Sequence, residues 1–260
     1  MSSSLLMFLL PYIGAAASPF LGGSAGTLAT KSLAVLTGIN GSFMALNPEK
    51  AGEKLYHISK EDITPRVASL IRNNGMSALS LATTNALLAY AHVKPSTAIA
   101  MGLIPRLTVL LYHHSGVPVC ISLDGLVPGY ILQIECAASL VKSKWIDSAV
   151  AMKIMSFFYI SAGLGVSIAP KTLSEQLLQL NDATETEQRC LRAQGKTELI
   201  NGVLVWVLSI GQDYPRAIGL SCVAWIAAIV YSDFIVAPRK GAIAQLLIAG
   251  LSAGILLSDN

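Results

Sequence analysis

Residues 146–169 read IDSAVAMKIMSFFYISAGLGVSIA, and this stretch decides how the chain is read. Past Asp147 it carries a single charge, Lys153. At about 1.5 Å per residue its length matches the roughly 30 Å of hydrocarbon in a bilayer. Seven further segments look the same: residues 28–46, 67–91, 95–112, 125–141, 191–211, 215–236 and 241–257. Lipid cannot satisfy an open backbone, and no alternating barrel pattern is present, so each segment is expected to be a helix.

The composition agrees. Of 260 residues, 53% are hydrophobic and 13% charged, with a mean hydropathy of +0.59. Soluble domains carry about 25% charged residues. That shortfall argues against a cytosolic enzyme, a disordered chain and a nucleic-acid binder. The net charge of +3 comes with no phosphate-binding run of Lys and Arg. Cys120, Cys136, Cys190 and Cys222 form no CxxC pair and read as small apolar fillers.

The segments fall into two sets. A shift of 122 matches Lys31 with Lys153, Gly41 with Gly163, Pro48 with Pro170 and Glu53 with Glu175. A shift of 120 matches Arg72 with Arg192, Gly75 with Gly195 and Pro95 with Pro215. The expected fold is therefore an all-α integral membrane protein of about eight transmembrane helices. They form two four-helix repeats, residues 24–144 and 145–260. Residues 1–23 form a hydrophobic N-terminal segment: a cleaved signal, an interfacial helix or an extra span. Four crossings return the chain to its starting face, so the repeats should be of the parallel class. The stretches 47–66 and 170–188 are amphipathic and suit short surface helices or solvated loops equally. Lys50, Lys54, Lys60, Arg66, Lys171, Arg189, Arg239 and Lys240 gather on one side. Lys94, Lys142, Lys144 and Arg216 gather on the other. The first side is then cytoplasmic, matrix or stromal.

Ionisable groups at membrane depth are costly, which singles out Arg106 and Glu135. Each is eleven residues from its segment's entry, so the two are expected near the midplane as a buried polar pair, for binding or as a clamp. No other carboxylate is expected deep in a span. Asp233 is expected to reach the interface, and Lys31 and Lys153 to snorkel. Asn40, Asn85 and Asn201 should hydrogen-bond between helices. His92, His113 and His114 are the candidate interface ligands, but nothing in their spacing supports pigment or haem, and no metal set is expected. Gly22-x-x-x-Gly26 and Gly250-x-x-x-Gly254 are expected helix-packing motifs. Pro11, Pro105 and Pro128 should kink their helices.

No hydrolase, nucleotide-binding or metalloprotease motif is present, and no catalytic residues are assigned. The first functional expectation is a non-catalytic, multi-pass subunit or scaffold of a larger membrane assembly. Its partners would be membrane lipids and other membrane subunits, with bound lipid as the expected companion. The second is a carrier for a small or lipophilic substrate, with a central cavity lined by Arg106, Glu135 and Asn85. The third is a lipid-modifying enzyme built on His113, His114 and Asp124.

Overall fold

The computed structural model describes residues 25–108, 131, 133–140, 146–176, 182–236 and 242–258, and these are helical with no strands. Helix α1 is Ala25–Leu46, α2 Pro48–Leu55, α3 Pro65–Tyr90 and α4 Pro95–Gly102. After them come α5 Ser148–Ile168, α6 Pro170–Gln176, α7 Glu185–Ser209, α8 Tyr214–Ile229 and α9 Ala242–Ser258. A π-helical turn, Val230–Val236, extends α8. Residues 104–108 and 133–140 are also helical.

The starts of these helices are written in the sequence. Thr64 caps α3 by accepting from Val67 N, and Pro65 opens it, where its missing N–H costs nothing. Thr184 caps α7 in a full capping box with Glu187. Asp147 caps α5 through Ala149 N and Val150 N. The chain between residues 47 and 66 forms α2 and a 3₁₀ turn at Lys60–Asp62, so the amphipathic reading held there: Ala51 and Gly52 are buried, Glu53 and Lys54 exposed.

The closest packing is α1 on α3 and α5 on α7. A Cβ added at Gly75 would sit 2.6 Å from Ala45 N and 2.8 Å from Gly41 O. One added at Gly163 would sit 2.6 Å from Leu199 N and 2.8 Å from Gly195 O. Only glycine allows backbones this near. Helices α3 and α7 then meet in the middle. Arg66 contacts Glu187, Asn74 contacts Thr197 and Ser77 contacts Glu198. Their sequence separations barely change along the interface, so α3 and α7 run side by side in the same direction.

A core of Leu81, Leu88, Ile99, Met152, Met155, Leu204, Leu208, Ile218 and Leu256 joins the helices. The outer surface is apolar too: Phe157, Ile235, Leu247 and Ile243 are exposed, Phe157 by 71%. Two helices, Ser148–Ile168 and Tyr214–Val236, are long and apolar enough to cross a membrane by length and composition.

Candidate functional site

Helix α4 stops at Gly102, turns at Leu103 and resumes over residues 104–108. Pro105 accounts for the break, because it has no N–H to return to the preceding turn. The bend carries Arg106 into the interior at 9% exposure. Its partner there is Glu198 on α7, with Arg106 Nη1 2.5 Å from Glu198 Oε2. Ser77 Oγ donates to Glu198 Oε1 at 3.0 Å, and the guanidinium stacks 5.0 Å over the Tyr159 ring. Glu135 is exposed on the helical stretch 133–140. The expected Arg106–Glu135 pair is therefore corrected to Arg106–Glu198.

A second buried ion pair lies on the other side of α7. Lys196 Nζ donates to Asp233 Oδ2 at 2.7 Å, and Ser232 Oγ donates to Asp233 Oδ1 at 3.1 Å. Asp233 does not reach the interface, because the π-turn that carries it keeps it buried. Each carboxylate is thus neutralised by a cation and held by a hydroxyl, which removes most of the cost of burying it.

Between these pairs runs a hydrogen-bonded chain. Asn74 Nδ2 donates to Tyr56 Oη at 2.5 Å, and Thr197 Oγ1 donates to Asn74 Oδ1 at 2.8 Å. Asn74, Tyr56, Thr197 and Lys196 line a cavity of ≈ 250 Å³ whose other walls come from α1, α2, α3, α7, α8 and α9. Asn85 lines it as expected; Arg106 and Glu135 do not. The expected interhelical bonds of Asn85 and Asn201 are not made: Asn85 Oδ1 and Asn201 Nδ2 are buried without a hydrogen-bond partner among the described residues.

His92 is exposed, with φ +50°, just past the end of α3. It occupies the left-handed position that ends many helices. His113, His114 and Asp124 lie outside the described residues, as do Cys120, Gly22, Pro11 and Pro128. Among the described residues no group of three or more His, Cys, Asp or Glu could hold a metal. Gly26 is buried and its carbonyl accepts from Thr30 Oγ1 at 2.6 Å. Gly250 and Gly254 are exposed, and a Cβ at either meets nothing within 4 Å. They pack no helix among the described residues; Gly41, Gly75, Gly163 and Gly195 do. Cys136, Cys190 and Cys222 are buried.

Comparison with known protein families, curated proteins and solved structures finds no match.

Proposed function

We propose that the chain is a multi-pass membrane carrier for a small amphipathic molecule. The reading takes eight spans in two like-oriented units, residues 24–144 and 145–260, with the cavity lined from α1, α3, α7, α8 and α9 and the end of α2. The observation that carries the reading is the inverted distribution of polarity. Helices α3 and α7 bear Asn73, Asn74, Ser77, Asn85, Lys196, Glu198 and Asn201, all buried, while large apolar side chains face outward. These helices miss the apolar profile of a simple span because of groups that point inward, as a bundle in lipid requires. The parallel course of α3 and α7 supports like-oriented units. So do the two glycine contacts, Gly41 with Gly75 and Gly163 with Gly195. The outer surface meets membrane lipid.

A second reading, a subunit of a larger membrane assembly, is favoured by one face. Gly250 and Gly254 lie exposed on α9 with Ile243, Leu247 and Leu251. A helix of another subunit could approach closely there.

The native thiol Cys222 lines the cavity and tests the carrier reading. Cys120, Cys136 and Cys190 are changed to Ala, and right-side-out and inverted vesicles are treated with a membrane-impermeant methanethiosulfonate. Labelling of Cys222 from each face supports alternating access; labelling from one face only, or neither, overturns it. If instead the protein co-purifies in a large assembly that Gly250→Leu/Gly254→Leu disrupts, the subunit reading holds.

A further inference from the structure

The cavity's lining specifies a ligand class, an inference that rests on the carrier reading. Besides Asn74, which Tyr56 and Thr197 engage, three of its side chains are carboxamides from three helices: Asn40 on α1, Asn85 on α3 and Gln245 on α9. None has a hydrogen-bond partner among the described residues. Asn85 is 4% exposed, so bulk water does not serve it. An unsatisfied buried amide is expensive, and native interiors seldom keep one without an occupant.

Charge narrows the class. Lys196 is the one charged residue among those lining the cavity, and Asp233 neutralises it at 2.7 Å. An anion would have to compete with Asp233 for that ammonium. A cation would face it. A neutral group that both donates and accepts, a hydroxyl or an amide, matches a carboxamide without disturbing the pair. Leu81, Leu204, Ile218 and Trp225 supply apolar wall for the rest of the molecule.

Of these three amides, Asn40 and Asn85 belong to the first unit and Gln245 to the second. At the repeat shifts, Asn40 corresponds to Ala162 and Asn85 to Val205. Neither replacement can hydrogen-bond through its side chain. The two asparagines are a specialisation of the first unit and are not part of the shared packing scheme.

We infer that the cavity binds a small neutral amphipath whose hydroxyl or amide head is held by Asn85, with Asn40 and Gln245 in the same lining, and whose apolar body lies against Trp225 and its neighbours.

Trp225 makes the test direct. The full chain carrying Trp145→Phe and Trp206→Phe is placed in lipid nanodiscs, and Trp225 emission is followed against empty discs. The probes are 1-octanol, octanoate, octylamine and octane. A saturable change with 1-octanol is expected, about tenfold tighter than with octanoate or octylamine. Asn85→Leu should weaken 1-octanol about tenfold and leave octane unchanged. That variant removes an unpaired amide, so it should fold at least as well as its parent. Octanoate or octylamine binding as tightly as 1-octanol overturns the neutral-head assignment while leaving an occupied cavity and the carrier reading intact. Insensitivity of 1-octanol to Asn85→Leu does the same. No saturable response to any probe, with melting unchanged, overturns the ligand site and the carrier reading together.

Discussion

Arg106 reaches Glu198 across 92 residues of sequence, with Nη1 2.5 Å from Oε2. It ties the kinked segment after α4 to the middle of α7. Both groups are shielded, so removing either strands a charge in the interior, at about 3–5 kcal/mol. Arg106→Gln and Glu198→Gln should each lower stability by that order in reversible detergent unfolding. The double variant should cost clearly less than their sum. Glu135→Gln, on an exposed position, should stay within about 0.5 kcal/mol. Additivity of the first two would remove the pairing.

The glycine contacts give a second prediction. At Gly75 and Gly195 the neighbours a side chain would strike are largely backbone atoms of the facing helix: Ala45 N and Gly41 O at the first, Ser167 N and Gly163 O at the second. Backbone cannot rotate aside as a flexible side chain can. Gly75→Val and Gly195→Val should each destabilise by about 1–3 kcal/mol or more. Gly250→Val, with open space around its Cβ, should leave the melting temperature of the isolated protein unchanged. Equal losses at all three positions would contradict the packing described.

The same contrast shows how far the sequence could be read. The helix starts carry local signals, Pro48, Thr64, Asp147 and Thr184, each acting within one turn, but spans placed by hydropathy alone made no use of them. Gly41, Gly75, Gly163 and Gly195 were visible only as matched spacing, while the expected packing role went to Gly22, Gly26, Gly250 and Gly254. Arg106 was found as a buried cation, but its partner was missed. The run from Glu185 to Arg192 is so polar that the span seemed to begin at Leu191, which put Glu198 near an end. The capping box at Thr184 extends α7 to 25 residues and places Glu198 midway along it. Asp233 was misplaced for a related reason: apolar periodicity carries no sign of a π-turn, and that turn decides where the side chain goes. The cavity's lining was beyond sequence reading, because residues from six helices form it and no single segment contains its pattern.

Lys196 and Asp233 form the other internal ion pair, and its removal has a different signature. Lys196→Met leaves Asp233 buried with Ser232 as its remaining donor among the described residues, and should cost about 3–5 kcal/mol. Lys196→Met combined with Asp233→Leu exchanges the pair for apolar groups and should recover most of that loss. Chemical unfolding of the four proteins in one detergent checks this. A double variant no more stable than Lys196→Met would mean that the pair's geometry, and not its charge balance, holds α7 to the π-turn.

Asn74 and Asn85 lie on the same helix, eleven residues apart, and both line the cavity, yet they should respond oppositely to the same substitution. Asn74 is fully engaged, donating to Tyr56 Oη and accepting from Thr197 Oγ1. Asn74→Leu would withdraw the acceptor from Thr197 and the donor from Tyr56, and should cost about 1–3 kcal/mol. Asn85 has no such partners to strand, because its Oδ1 is already orphaned. Asn85→Leu should be neutral or stabilising in the ligand-free protein, since an apolar group then fills an apolar-walled site without an unsatisfied amide. Thermal melts of the two variants side by side decide the matter. A large loss for Asn85→Leu would show that this amide already has a structural role, and it would no longer stand as a group reserved for a bound molecule.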